Sequence, residues 1–330
     1  MKSVSIVVFL LLLFPADLFA QRTASLTVGY VGIDGPQLPA WMAKEAGIFQ
    51  KNGLDVQLVN FTGGPTAIAA LLSGDVPFTQ VSGPSVVSSH LRGSDTVFIV
   101  GGTITLDFWL MSRPEIKTPE QLRGGTIGIG RFGGVNDSML RFLLPKLGLA
   151  QGTDVTVRQI GGLPVRLAAL ETGQIQASLL SPPITFVAVK KGLHVLADVA
   201  ALGMVYQHTT VTSTQKFIRE HPDTVRRYVR SHVEAVHRLK TDREMGIKVL
   251  AKYIRGLTER DVLEKSYDRA VTDISMPRKQ YPTLEGIKMI LEGLADQEPK
   301  AKTARPEEFV DMRFIGELDQ SGYIDGLYRK

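Results

Sequence analysis

The chain has 330 residues, a net charge of +5, 44% hydrophobic residues and no cysteine. That length can bury two cores, and the lack of cysteine excludes a disulfide framework, a thiol nucleophile, cysteine-held metal and a lipid on an N-terminal cysteine. The basic surplus is spread among acidic residues, mostly in the C-terminal helices, rather than clustered with stacking aromatics, which argues against a nucleic-acid surface.

Taken in chain order, residues 1–20 come first. Lys2 is followed by an apolar run at 7–14, then Pro15, with Ala20 preceding Gln21. A basic start, a short apolar stretch and a small residue at the end predict an export signal cleaved after Ala20. The run is shorter than the roughly 20 residues a membrane span needs. The mature protein is therefore expected free in a periplasm-like space, without a lipid anchor.

A strand is predicted at 26–31, a helix from Pro39 and a second strand at 54–59. Residues 63–84 read GGPTAIAALLSGDVPFTQVSGP, and 161–183 read GGLPVRLAALETGQIQASLLSPP. With one inserted residue the two stretches match in order. Each has a Gly-Gly turn, a helix with Pro in its first turn, a Gly stop, an apolar strand and a turn carrying Ser and Pro. Strands at 126–129 and 155–160 precede the second copy as those at 26–31 and 54–59 precede the first. This alternation predicts an α/β protein of two lobes, each a mainly parallel sheet flanked by helices.

After Leu202 the texture changes. A strand is expected at 209–212, then helices at 214–219, 222–240, 243–254, 258–270, 284–296 and 306–318. The reading divides the mature chain into a first lobe at 21–110, a second at 111–205 and a return to the first at 206–330. Crossings are expected near 106–113 and 202–208.

Gly128, Gly130 and Gly133 fit G-x-G-x-x-G between a strand and a helix, the context of a dinucleotide fingerprint. Such a site also needs a carboxylate at the end of the next strand to hold the ribose. That strand ends Arg158-Gln159-Ile160-Gly161, so no nucleotide is expected, and no other cofactor. What remains is a glycine turn offering backbone N–H groups at a helix N-terminus, which suits an anionic or polar group. Six such turns, at 35–38, 63–66, 82–85, 131–136, 162–166 and 181–183, are expected to line one cleft between the lobes.

The stretches AKEAGIFQKNGLDV (43–56), Gly74-Asp75-Val76 and TPEQLRGGTIGIG (118–130) resemble the solute-binding proteins of nitrate, sulfonate, taurine and thiamine-precursor ABC importers, the SsuA/THI5-like or NMT1-like family. The resemblance implies a type II periplasmic binding protein that closes on a small solute. Its implied partners are the transmembrane subunits of a permease with a cytoplasmic ATPase, and the protein itself is expected to be a monomer. Carried onto the six turns, the ligand contacts would come from Gln37, Leu38, Thr66, Ser82, Gly83, Arg131, Phe132, Asn136, Arg166, Ser181 and Pro182. Many relatives carry a carboxylate before the last proline, where Ser181 stands here. With Arg131 and Arg166 nearby, that favours an anionic or polar solute such as a sulfonate or carboxylate, rather than a cation. No catalytic residue is expected. The alternatives are an enzyme on the same scaffold, resembling the thiamine-pathway pyrimidine synthases, and a sensor partner that presents its solute to a receptor.

Other residues carry less. Phe108 and Trp109, and Tyr206 and His208, fall at the crossings and are expected to pack there. His232 and His237 lie five positions apart, about 140° around a helix, so they are read as two solvated histidines and no metal site. There is no G-x-S-x-G nucleophile turn.

Overall fold

The computed structural model describes residues 23–329, so the predicted export signal lies outside the described residues. Ten strands are present among them: β1 Ala24–Val31, β2 Leu54–Phe61, β3 Phe78–Ser82, β4 Thr96–Thr103, β5 Trp109–Ser112, β6 Thr126–Ile129, β7 Thr156–Gln159, β8 Ala177–Leu180, β9 His194–Asp198 and β10 Thr209–Thr214. They form two five-stranded sheets, ordered β2-β1-β3-β10-β4 and β7-β6-β8-β5-β9. In each sheet the first three strands pair in parallel, joined by right-sized helical crossovers. The antiparallel member of each sheet is the strand that has just arrived from the other one, β10 in the first and β5 in the second.

The two repeat copies behave alike. Helix Gly64–Ser73 has Pro65 in its first turn and stops at Gly74, whose φ of 84° is left-handed. Helix Leu163–Glu171 has Pro164 in its first turn and ends before Gly173, at φ 78°. Glycine populates that region without a Cβ penalty, which is why both helices end there.

Three strands, β4, β5 and β9, have no counterpart in the sequence reading. β4 carries Gly101-Gly102, which reads as a break. In the fold both glycines are needed: a Cβ on Gly101 would strike the Tyr281 carbonyl, and one on Gly102 would strike that of Thr209. β4 lies at a sheet edge yet is buried along its whole length. The C-terminal region covers that edge, with Gly101 N–H donating to Gln280 O at 2.8 Å and Asp311 N–H to Phe98 O at 2.8 Å. An edge satisfied in this way is closed to pairing with other chains. The second of these bonds also corrects the helix expected at 306–318. Val310 is extended and bridges to Phe98, so the segment splits into a short turn at Pro306–Phe309 and a helix at Arg313–Gln320.

The C-terminal helices pack chiefly on the first sheet. Helix Pro222–Thr241 lies against helix Leu38–Glu45 and stacks Tyr228 on Phe78 of β3 at 4.3 Å, while Trp41 stacks on Tyr253 of helix Arg243–Tyr253 at 4.6 Å. Helix Leu284–Leu294 packs on helix Gly83–Leu91 and also reaches helix Val135–Lys146 beside the second sheet.

His232 is a correction. It is 2% exposed rather than solvated, and its Nε2 donates to Gln280 Oε1 at 3.0 Å, an oxygen that also accepts from Gly102 N–H. Burial pushes its pKa down to about 4. His237 is half-buried against Tyr328.

The two sheets are linked by a pair of adjacent segments, 104–108 and 199–208. They are bonded to each other by Tyr206 N–H to Ile104 O and Val199 N–H to Phe108 O, both at 2.9 Å. Phe108 packs edge-on to His208 in this link.

Candidate ligand-binding site

Between the two sheets, at the carboxyl ends of β1, β2, β3, β6, β7 and β8, lies a cavity of about 220 Å³. This is where open α/β sheets offer their strand ends and helix N-termini to a ligand. Of the eleven residues predicted from the sequence, the cavity brings together Gln37, Ser82, Arg131, Asn136, Arg166 and Ser181.

Arg166 is the most consequential of these. It sits in the first turn of helix Leu163–Glu171, pointing inward, and is only 4% exposed. Its Nη1 donates to Asn136 Oδ1 at 2.8 Å and to Leu179 O at 2.6 Å, which fixes the guanidinium. Its Nε finds no protein partner, and neither does Asn136 Nδ2. Burial lowers the Arg166 pKa to about 10, so the group stays charged at neutral pH. A buried donor without a partner costs free energy unless a ligand or water accepts from it. The N-termini of helices Gly64–Ser73, Val135–Lys146 and Leu163–Glu171 line the same cavity and add partial positive charge.

The sequence reading missed Asp34. It follows β1, lines the cavity and is 8% exposed. Its Oδ2 accepts from Ser181 Oγ at 2.8 Å, so the bond runs from one sheet's side of the cavity to the other's. Burial raises its pKa to about 6, against the pull of Ser181 and Arg166. The signal was legible: Gly32-Ile33-Asp34-Gly35 is a glycine-flanked carboxylate just beyond a predicted strand. His208 also lines the cavity. Its Nδ1 faces the Thr105 carbonyl at 3.1 Å, and because a carbonyl only accepts, Nδ1 carries the proton and Nε2 the lone pair. Burial pushes its pKa down to about 4, which keeps it neutral.

Two further bonds cross between the sheets. Arg131 Nε donates to Thr62 O at 3.1 Å, and Ser85 Oγ to Gly133 O at 3.1 Å. Arg131 thus spends its Nε on the opposite wall, whereas Arg166 keeps its Nε free.

The other five predicted residues are placed elsewhere. Leu38 is fully buried in the first core, because it opens a helix whose apolar face lies on the sheet. Gly83 donates its N–H to His208 O at 3.1 Å and is pressed against the Gln207 carbonyl, which leaves no room for a ligand. Thr66 turns its hydroxyl back to the Thr62 carbonyl at 3.4 Å. Phe132 is 45% exposed and lines a neighbouring open groove with Ile68 and Leu72. Pro182 lines a smaller cavity with Pro36 and Asp107, and its bond to Pro183 is cis.

The glycine turn is poorly suited to a pyrophosphate. Gly133 N–H already donates to the Asp137 carboxylate at 2.9 Å, which places negative charge inside the turn.

Comparison with known proteins identifies the family and the fold. The family described as NMT1/THI5 like matches residues 37–242. The chain belongs to that family. A Bacillus subtilis protein provisionally named an aliphatic sulfonates-binding protein is 28% identical over 215 residues, covering 62% of this chain and 63% of its own. A Brucella abortus protein provisionally named a binding protein is 25% identical over 233 residues, 69% of this chain and 71% of its own. Among solved structures, the alkanesulfonate-binding protein SsuA of Xanthomonas axonopodis pv. citri, bound to MOPS, superposes with a TM-score of 0.73. It is 19% identical, over 89% of this chain and 100% of its own. The periplasmic nitrate-binding protein NrtA of Synechocystis PCC 6803 gives 0.67 at 13% identity, over 93% and 99%. This NMT1/THI5-like protein therefore has the type II periplasmic-binding-protein fold. Among its described residues, no helix is long and apolar enough to cross a membrane.

Proposed function

We propose that this protein captures a small organic solute with an anionic or strongly polar group in the cavity between two lobes, 21–110 with 206–330 and 111–205. It acts outside the cytoplasmic membrane as the binding component of an ABC importer and delivers the solute to a permease, without chemistry of its own. The observation that carries this reading is Arg166: a buried, immobilised guanidinium with an unpaired Nε, beside a cavity ringed by helix N-termini. Removed from water, a charge-assisted bond to such a group contributes about 1.5–3 kcal/mol. The names of the relatives and structural neighbours, several of them sulfonate- or nitrate-binding, support the same class.

Calorimetric titration with short alkanesulfonates, carboxylates and nitrate tests the reading. At least one anion should bind, and Arg166→Gln should weaken it by roughly tenfold or more, equivalent to about 1.4 kcal/mol. Circular dichroism of the variant checks its fold. Binding of none of these anions, or a simple amine as the tightest ligand, would overturn the reading.

A further inference from the structure

Asp34 and Arg166 line one cavity, and both are more than nine-tenths buried. The only side-chain bond Asp34 makes among the described residues is from Ser181 Oγ, at 2.8 Å. Few charges face it. Arg166 attracts it through space, and Asp107 opposes it while itself bonded to Arg269 at 3.0 Å. Arg131 is bonded to Thr62 O, and His208 is neutral. The first turn of helix Gly64–Ser73 adds partial positive charge on the first-sheet side.

An anion that accepts from Arg166 Nε therefore enters a space that already holds a buried carboxylate. Two effects follow, with one sign. The new negative charge repels the carboxylate, and it engages the guanidinium whose field had favoured the ionised form. The helix N-terminus offsets only part of this, since its charge is about half a unit and both anions share it. Two negative groups confined together out of water do not both stay ionised when one of them can take a proton.

We propose that Asp34 couples solute capture to a proton: as an anion settles at Arg166, the Asp34 carboxylate takes up one proton from solvent, and anion and proton are captured together. The inference rests on the solute-capture reading above and adds a linkage that Arg166 alone does not give. Protonation turns Asp34 from an acceptor into a donor. One oxygen goes on accepting from Ser181 Oγ, while the other carries an O–H that can donate to the solute. Burial already raises the Asp34 pKa to about 6, so the step lies close to neutral pH. By linkage, an anion that strengthens proton binding is itself bound more tightly as pH falls.

Propanesulfonate, butyrate and nitrate all stay ionised from about pH 6.5 to about pH 8, so their own charge does not change across the test. Calorimetry in Tris, imidazole and Bis-Tris, buffers of different ionisation enthalpy with no anionic form, counts the protons. A probe that binds should bring in roughly half to one proton at about pH 7, and bind several-fold to roughly tenfold more weakly at about pH 8 than at about pH 6.5. Asp34→Asn keeps an oxygen for Ser181 but cannot titrate. It should bind the same anion without proton uptake and with an affinity that is flat over this range. His208→Gln removes the other lining group able to titrate near neutral pH, and should keep the uptake. Binding without proton uptake, or an affinity that varies by less than about twofold, overturns the proposal and leaves solute capture standing. Uptake that survives in a folded Asp34→Asn protein, or vanishes in a folded His208→Gln protein, also overturns it. If none of the three probes binds, both readings fall. Thermal melting confirms folding; should Asp34→Asn not fold, proton uptake by the wild type and by His208→Gln still decides.

Discussion

At the scale of single residues, the site is defined by groups that folding alone does not favour. Asp34 has a pKa near 6 in the fold, against an ordinary value of 3.8, because burial penalises its charge. The folded state thus holds the proton more tightly than the unfolded chain. Its favourable contribution is complete below the unfolded value and is lost as pH rises through 6. Above that, folding must bury a carboxylate, at a cost on the order of 2–3 kcal/mol for a shift of about two units. Asp34→Asn keeps an oxygen to accept from Ser181 and removes the charge. The variant should be more stable than the parent above about pH 7, with the gain shrinking through pH 6 and vanishing near pH 4. Urea unfolding across that range is the check. A gain independent of pH would mean the carboxylate is not strained. Stability given up at a residue that lines a cavity is the usual sign of a functional constraint.

At the scale of elements, glycine positions decide how closely the layers approach. Gly83 follows β3 and opens helix Gly83–Leu91, where a Cβ would collide with the Gln207 carbonyl and Ile290 Cδ1. Its neighbour in that contact is part of the link between the sheets, so the turn can yield only by shifting the link. Gly83→Ala should therefore cost about 1–3 kcal/mol, as overpacking does. Gly293, in helix Leu284–Leu294, has open space around its Cβ position. Gly293→Ala should stabilise by about 0.5–1 kcal/mol through helix propensity. Thermal melting of the two variants should move in opposite directions. Equal shifts would mean that propensity, not packing, governs both sites. The same logic separates the two repeat copies. Their turns share Ser and Pro, but Ser82-Gly83-Pro84 is braced by the link, whereas Ser181 reaches across the cavity to Asp34.

At the scale of the whole molecule, three hydrogen bonds cross between the sheets at or beside the cavity: Ser181 to Asp34, Arg131 to Thr62 and Ser85 to Gly133. The sheets are also tied by the paired segments 104–108 and 199–208, by helices Gly83–Leu91 and Leu284–Leu294 packing on helix Val135–Lys146, and by ion pairs such as Arg269 to Asp107 and Lys190 to Asp261. The exposed pair of Lys190 and Asp261 contributes about 0–1 kcal/mol. The three polar bonds can break and re-form as the sheets hinge, with the solute bridging the walls when bound. Small-angle scattering should therefore give a smaller radius of gyration with a saturating ligand than without. An unchanged radius at saturation, with binding confirmed by calorimetry, would rule out hinge closure.

The sequence by itself determined the two-sheet α/β fold and the family. Both are local matters: proline at helix starts, glycine at stops and apolar runs between them recur in each copy, and such signals act within a few residues. It also determined which turns meet, because parallel strands send their carboxyl ends to the same side. Gln37, Ser82, Arg131, Asn136, Arg166 and Ser181 were found that way. Only the tertiary structure decided which side chains in those turns face the cavity. Leu38 turns into the core, Phe132 onto a neighbouring groove, and Asp34 inward, although all three occupy similar turns. It alone decided that β4 closes a covered edge and that His232 is buried on Gln280, since both depend on segments some 50 to 210 residues away in the chain. Periodicity reports which face of an element is apolar. The direction of a polar side chain in an irregular turn is set by partners that only the folded chain brings near.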